Sequence, residues 1–142
     1  MLWLHDYGKI IDFENQYEAT QKEGMKFLRE IGFEQGFATK VLENIKLIDS
    51  STTIDLHNAS IEVKIVSSAD GASHMVGPFF EVYLHENHHQ PLEELMAGNR
   101  QKALKDWNKK IVLPEVKKAF ERRHTFILEQ NGDIPTKLKK KK

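Results

Sequence analysis

The chain has 142 residues, with 21 Lys and Arg balancing 21 Asp and Glu, and no cysteine. This length suffices for one domain with a hydrophobic core. The balanced charge excludes an overall field that attracts polyanions, and the lack of cysteine excludes disulfides and thiolate metal sites. No apolar run approaches the length of a membrane-spanning helix, and the apolar N-terminal segment is too short for a signal peptide. We therefore expect a cytoplasmic protein without a membrane partner.

Hydrophobic spacing near 3.6 residues predicts an all-α fold. Residues 2–7 predict the last turns of a helix that Gly8 ends, because glycine tolerates the left-handed conformation found there. This segment lacks an N-terminal cap, which predicts that the front of its helix is missing. Ile61, Ile65 and Ala69 predict one apolar stripe of a later helix, with Val63 and Val66 on its flank. The further helices are predicted at 16–31, 34–48, 59–75, 79–86, 91–110 and 114 to about 130.

The predicted domain spans residues 1–131, with a core at 1–76 and a C-terminal helical extension at 77–131. Residues 132–142 end in four lysines and predict a disordered tail. Such a tail gives only salt-sensitive, non-specific polyanion binding. Trp107 lies near several lysines but is predicted to anchor the core. We therefore expect no specific nucleic-acid partner.

The adjacent His5 and Asp6 are candidate metal ligands, since imidazole nitrogen and carboxylate oxygen suit Mn, Mg, Fe, Ni or Zn. Adjacent helical residues point about 100° apart, so one ion reaches both only near a helix end. Gly8 is predicted to supply that end. Lys9 could place a cation near a substrate phosphate. Alternatively, it is a solvated lysine that favours the helix dipole.

Asp70 lies four residues after Val66 and seven after Val63, which places a carboxylate on an apolar helix face. That position is costly unless the carboxylate is paired, hydrogen-bonded or bound to a metal. Asp70 is therefore either a metal ligand or a buried Asp satisfied by a helix N-terminus or an Arg. His74 shares its face, either as a partner of the site or as a core histidine that donates to a carbonyl.

Two stretches of the chain resemble the signatures of the HD-domain metal-dependent phosphohydrolases, which are named after a His-Asp doublet. They are Leu2-Trp3-Leu4-His5-Asp6-Tyr7-Gly8-Lys9 and Lys64-Ile65-Val66-Ser67-Ser68-Ala69-Asp70-Gly71. The resemblance covers residues 2 to about 75 in the order helix end, helical hairpin and Asp-bearing helix. It implies an HD-like helical bundle that hydrolyses a small phosphorylated substrate, either a phosphate ester or a nucleotide.

The resemblance also implies the roles of four residues. His5, Asp6 and Asp70 hold one divalent cation (Mn, Mg, Fe, Ni or Zn). Asp6 helps to orient the nucleophilic water, and Lys9 meets the phosphate.

The chain departs from the family at its N-terminus. The family completes its metal site with a histidine from an upstream helix, whereas only four residues precede His5. We therefore expect an N-terminally incomplete bundle with weakened metal affinity, because each ligand helps to fix geometry and charge. The alternative is a non-catalytic, truncated HD fragment that acts as a helical binding module. Helix faces uncovered by the truncation favour self-association.

A third motif matches the HExxH pattern of zinc proteases at residues 85–89, His85-Glu86-Asn87-His88-His89. That mechanism needs two histidines on one face of a continuous helix. Pro91 follows almost at once and disfavours helix in the residue before it. The motif therefore predicts a polar helix end rather than a protease.

Overall fold

A computed structural model describes residues 1, 3–49 and 53–132. These residues form seven α-helices and no strand, which confirms the all-α fold. A short 3₁₀ helix, Leu56–Asn58, precedes α4, and α6 continues directly into a π-helical turn, Asp106–Lys110. The helices are α1 Tyr7–Ile11, α2 Gln16–Glu30, α3 Gln35–Asp49, α4 Ile61–Ser73, α5 Phe79–Glu86, α6 Leu92–Lys105 and α7 Pro114–Gln130.

The chain divides into two compact units, Met1–Ser67 and Ser68–Lys142, and the boundary falls within α4. The single domain predicted for residues 1–131 stays a prediction. The tail predicted at 132–142 lies outside the described residues except for Gly132. Among the described residues, no helix combines the length and the apolar character needed to cross a membrane.

In the first unit, α2 packs on both α1 and α3, so the predicted helical hairpin of α2 and α3 is present. Apolar side chains spaced three or four residues apart along α3 supply most of its core. Tyr7 and Met25 pack against that core from α1 and α2. The buried members are Leu4, Leu28, Ala38, Val41, Leu42 and Ile45.

The prediction that Gly8 ends a helix over residues 2–7 is wrong. Residues 3–6 form turns, α1 begins at Tyr7, and Gly8 lies inside it. The Gly8 backbone amide donates to Thr20 Oγ1 at 2.9 Å. A Cβ atom at Gly8 would stand only 1.8 Å from the carbonyl oxygen of Gln16. Glycine is needed here because α1 touches α2, and not because the chain turns left-handed.

The predicted apolar stripe of α4 is also wrong. Ile61 and Ile65 are 57% and 51% exposed, whereas Val63 and Ser67 are fully buried. Ser68 is buried too, and its hydroxyl accepts hydrogen bonds from the backbone amides of Val112 and Leu113. A buried hydroxyl is tolerated when it is hydrogen-bonded. Helix α4 therefore buries the face of Val63, which the sequence placed beside Asp70, together with two serines that hydrophobicity does not identify.

The core of the second unit is built mainly from α4 to α7. Trp107 packs against it and stacks on His124, with ring centroids 4.3 Å apart and planes 5° from parallel. This confirms that Trp107 anchors the core. The buried members are Ala72, Met75, Phe80, Ala103, Ile111 and Ile127.

Candidate functional site

The predicted ligands His5 and Asp6 lie side by side in the first unit, together with Lys9. His5 Nε2 is 3.6 Å from Asp6 Oδ2. Asp6 stands at the N-cap position of α1 with a non-helical backbone, so the doublet precedes a helix instead of ending one. Lys9 follows one turn later, and its Nζ lies 2.6 Å from Asp6 Oδ1. We call His5, Asp6 and Lys9 the N-terminal cluster.

The spacing of His5 and Asp6 fits two ligands of one ion. Two donor atoms that are each about 2.1 Å from a tetrahedral ion stand roughly 3.4 Å apart. The observed separation of 3.6 Å is close to that value. Nitrogen and carboxylate oxygen are also the donors that Mn, Fe and Zn accept. The doublet therefore presents two donor atoms of suitable type, at a spacing that is also that of an ordinary contact between a histidine and a carboxylate.

Asp70 lies in the second unit, on the part of α4 that follows the boundary. Its side chain is only 10% exposed, which confirms that the sequence places a carboxylate on a buried face. Lys110 Nζ bonds its Oδ2 at 2.5 Å. His74 Nε2 stands 3.7 Å from its Oδ1. Asp70 is thus a paired carboxylate, and the cation beside it is a lysine.

The imidazole ring of His74 contacts a second carboxylate besides Asp70. Its Nδ1 is 2.8 Å from Oδ2 of Asp106, which is completely buried. An ionised carboxylate only accepts hydrogen bonds, so this bond needs the tautomer with its proton on Nδ1, and Lys102 Nζ also stands 3.0 Å from that nitrogen. The sequence suggested a core histidine that donates to a carbonyl. The observed acceptor is a carboxylate, which fixes the ring with charge-assisted strength.

Lys102 completes this set of charges. Its Nζ lies 2.8 and 2.7 Å from the two oxygens of Asp106. Burial lowers the pKa of Lys102, although the hydrogen bond to Asp106 acts in the opposite direction. The residues that interact here form what we call the α4 cluster: Asp70, His74, Lys102, Asp106 and Lys110.

Glycine and an unusual turn bring the α4 cluster together. The π-helical turn closes with a bond from the Ile111 amide to the Asp106 carbonyl at 2.9 Å, an i to i+5 pattern that is rare in proteins. A Cβ at Gly71 would come within 2.9 Å of side-chain atoms of Lys110 and Ile111. Ser68 holds the chain just beyond the turn through its two amide bonds. The stem of Lys110 is therefore packed against α4 beside Asp70.

Sequence reasoning missed Lys102, Asp106 and Lys110 as members of a site. Their spacing of four residues was an available signal, since side chains at i and i+4 are neighbours on a helix. This spacing predicts the contact between Lys102 and Asp106. It does not predict the contact between Lys110 and Asp70, which are 40 residues apart in the sequence.

The HExxH motif is divided by a helix end, as expected. Helix α5 ends at Glu86, so His85 lies on the helix and His89 lies in the turn beyond it. His88 Nδ1 bonds the carbonyl of His85 at 2.9 Å, which closes this turn. The two histidines that a protease needs on one helix face are not on one helix.

The predicted ligand set draws on both units, with His5 and Asp6 in the first and Asp70 in the second. Within residues 1, 3–49 and 53–132, no group of three or more His, Asp or Glu side chains is arranged to hold a metal ion. Comparison with known proteins gives no matching family model, no matching curated protein and no matching solved structure.

Proposed function

We propose that the chain is a metal-dependent phosphohydrolase of HD type that hydrolyses a phosphate ester or a nucleotide. The observation that carries the proposal is the 3.6 Å spacing between His5 Nε2 and Asp6 Oδ2, which suits two ligands of one ion. The resemblance of the two stretches around His5-Asp6 and Asp70 supports it.

In this proposal His5, Asp6 and Asp70 would hold the divalent cation, which would supply Lewis-acid polarisation and a nucleophilic water at neutral pH. Asp6 would accept a hydrogen bond from the attacking water and so orient it. Lys9, already beside Asp6, would approach a phosphate oxygen as a point charge. Asp106 would fix the ring of His74 next to Asp70. A cytoplasmic location stays part of this proposal.

The test combines metal binding with hydrolysis. Protein without a histidine tag is stripped of metal, titrated with Mn²⁺, and assayed with p-nitrophenyl phosphate and a panel of nucleotides. We expect one Mn²⁺ per chain and Mn²⁺-dependent release of phosphate, both lost in Asp6→Asn and Asp70→Asn. The matched control is Asp55→Asn, because Asp55 is an exposed aspartate that pairs with His57 and caps a 3₁₀ helix outside both clusters. No bound Mn²⁺ and no hydrolysis in the parent protein would refute the enzyme.

A second candidate function is a non-catalytic helical binding module that self-associates. The observation that favours it is a run of exposed large apolar side chains near the N-terminus. Trp3, Ile10 and Phe13 are 93%, 84% and 70% exposed, and exposed apolar side chains that form a patch commonly mark an interaction site. Light scattering after size exclusion tests it. We expect a dimer or larger species that Ile10→Gln with Phe13→Gln converts to a monomer, and a monomeric parent would contradict it.

A further inference from the structure

The charges of the chain are unevenly distributed along the sequence. Residues 100–123 contain nine Lys and Arg but only three Asp and Glu, whereas residues 1–99 contain seven Lys and Arg and sixteen Asp and Glu. The chain as a whole is neutral and yet contains a strongly basic segment. This segment runs from the second half of α6 through the π-helical turn into α7, and we call it the basic hairpin.

The elements of the basic hairpin contact each other within the second unit. Helix α6 packs on α7. Trp107 of the π-helical turn stacks on His124 of α7, with ring centroids 4.3 Å apart. Lys117 Nζ of α7 lies 5.9 Å from the centre of the Trp107 ring. The cations of the turn and of α7 are therefore carried by elements in direct contact, although they are separated along the chain.

Most cations of the basic hairpin have no carboxylate partner. Lys102 and Lys110 pair with Asp106 and Asp70 in the α4 cluster. Six other cations make no ion pair with a carboxylate within residues 1, 3–49 and 53–132: Lys105, Lys109, Lys117, Lys118, Arg122 and Arg123. All of them except the half-buried Lys117 are exposed. Their charges are therefore accessible to an anionic partner.

The unpaired cations repel one another within the basic hairpin. Lys118 and Arg122 are neighbours at i and i+4 on α7, and like charges at this spacing destabilise a helix. The exposed carboxylates of the hairpin, Glu115 and Glu121, are too few to balance six cations. An anionic partner would remove this repulsion.

The basic hairpin exposes charge without a large apolar side chain. Leu92 and Phe126 are exposed just outside it, but none of residues 100–123, all of which the structure describes, is an exposed large apolar residue. A protein interface has a hydrophobic centre, and a helix that lies on a membrane inserts an apolar face. A nucleic-acid backbone needs only Lys and Arg, because phosphate contacts release counterions. The composition of this surface therefore favours a nucleic acid.

We propose that the basic hairpin binds the phosphate backbone of a nucleic acid without reading its sequence. Lys105, Lys109, Lys118 and Arg122 contact phosphate oxygens. Binding of this kind agrees with the expectation that the chain has no specific nucleic-acid partner. The inference goes beyond the proposed function and does not rest on it, because none of these four residues belongs to the predicted metal or catalytic set.

The experiment compares three full-length variants with the parent. The hairpin variant carries Lys105→Gln, Lys109→Gln, Lys118→Gln and Arg122→Gln. The matched control carries Lys22→Gln, Lys26→Gln, Lys40→Gln and Lys46→Gln, which are exposed positions of α2 and α3 in the first unit. These two variants have the same net charge. The tail variant replaces the last four lysines, Lys139, Lys140, Lys141 and Lys142, by Gln, because the tail is also expected to bind polyanions.

Each protein is first confirmed as folded by circular dichroism. It is then titrated into fluorescein-labelled DNA of mixed sequence and about twenty nucleotides, longer than a typical single binding site. Single-stranded and duplex DNA are both used, at several salt concentrations, and fluorescence anisotropy measures the affinity.

We expect the parent to bind both forms of DNA at low salt. The hairpin variant should bind duplex DNA at least about tenfold more weakly, and its plot of log Kd against log salt should be shallower by about 3, since each lost phosphate contact removes about 0.9. The matched control should change the affinity less than about threefold, because its lysines lie outside the proposed surface. The tail variant should bind more tightly than the hairpin variant.

Four results would contradict the proposal. They are no binding of DNA by the parent at low salt, equal affinities of the parent and the hairpin variant, loss of binding in the tail variant alone, and displacement of the DNA by poly-L-glutamate at an equal concentration of charges. The third result would assign binding to the tail, and the fourth would assign the surface to acidic polypeptides. If the hairpin variant does not fold, Lys109→Gln with Lys118→Gln replaces it, and the expected change in slope is halved.

Discussion

The N-terminal cluster and the α4 cluster use the same chemistry in different surroundings. Each contains a carboxylate, a histidine and a lysine. The N-terminal cluster comes from one short stretch of chain, and Asp6 and Lys9 are about half exposed. The α4 cluster joins α4, α6 and the π-helical turn around the fully buried Asp106. The first can exchange partners with solvent, whereas the second also holds part of the fold together.

The largest expected effect is the loss of the buried carboxylate. Asp106→Ala should destabilise the second unit by about 3 kcal/mol or more, because Lys102 and His74 lose their shared acceptor. Asp6→Ala should cost less than about 1 kcal/mol, because its ion pair is exposed. Urea unfolding followed by Trp107 fluorescence in a Trp3→Phe background measures the first, and circular dichroism measures the second. An equal loss of unfolding free energy in Asp106→Ala and Asp6→Ala would contradict the claim that only the α4 cluster holds part of the fold together.

Both clusters depend on a glycine at a close approach between elements. Gly8→Ala should cost about 3 kcal/mol, since the added Cβ meets a backbone oxygen at 1.8 Å, and overpacking of this kind is destabilising. Gly71→Ala should cost about 1–2 kcal/mol, because the atoms it meets belong to side chains that can shift. Urea unfolding monitored by circular dichroism measures both.

Two helical glycines with open space around them are the matched controls. Gly36 lies in α3 and Gly98 lies in α6, and a Cβ at either position meets nothing within 4 Å. Gly36→Ala and Gly98→Ala should each stabilise the protein by about 0.5–1 kcal/mol, because alanine is the better helix former. Destabilisation by both controls would show that the substitution itself, and not the close approach, is responsible.

The sequence predicts the positions of the helices better than it predicts which distant residues contact each other in the fold. Helices α2, α3 and α5 begin and end within one residue of their predicted positions, because hydrophobic spacing and flanking Gly and Pro act over short distances. The role of Gly8 was missed because one residue type serves both helix ends and close packing. His74 and Asp106 are 32 residues apart, so only tertiary packing brings them together. The burial of Asp70 was predictable from Val63 and Val66, but Lys110 was not.

A smaller effect is expected from pH in the second unit. Burial, with a lesser contribution from Lys117, lowers the pKa of His124 below 6.5. Its buried Nε2 has no hydrogen-bond partner among the described residues. Because the unfolded state binds the proton more readily, this contribution to stability is complete above pH 6.5 and is lost as the pH falls through the folded pKa.

Urea unfolding as a function of pH measures this loss, with His124→Phe as the control. Phenylalanine keeps a ring against Trp107 and removes the titration. We expect a shallower decline between neutral and mildly acidic pH in His124→Phe. An identical decline in both proteins would assign the loss to other groups.

The smallest expected effect is that of Lys9. Lys9→Met should change the free energy of unfolding by less than about 0.5 kcal/mol, and added salt should reduce the difference further. Urea unfolding at low and high ionic strength measures it. A cost above about 1 kcal/mol would place Lys9 among the groups that hold the first unit together.

The most direct test of the central claim is a calorimetric titration of Mn²⁺ into metal-free protein without a histidine tag. The comparison needs the parent, Asp70→Asn and the control Asp55→Asn, each confirmed as folded by circular dichroism. We predict one Mn²⁺ per chain in the parent, no binding in Asp70→Asn, and unchanged binding in Asp55→Asn. Absence of stoichiometric Mn²⁺ binding in the parent would contradict the metal site and the function proposed from it.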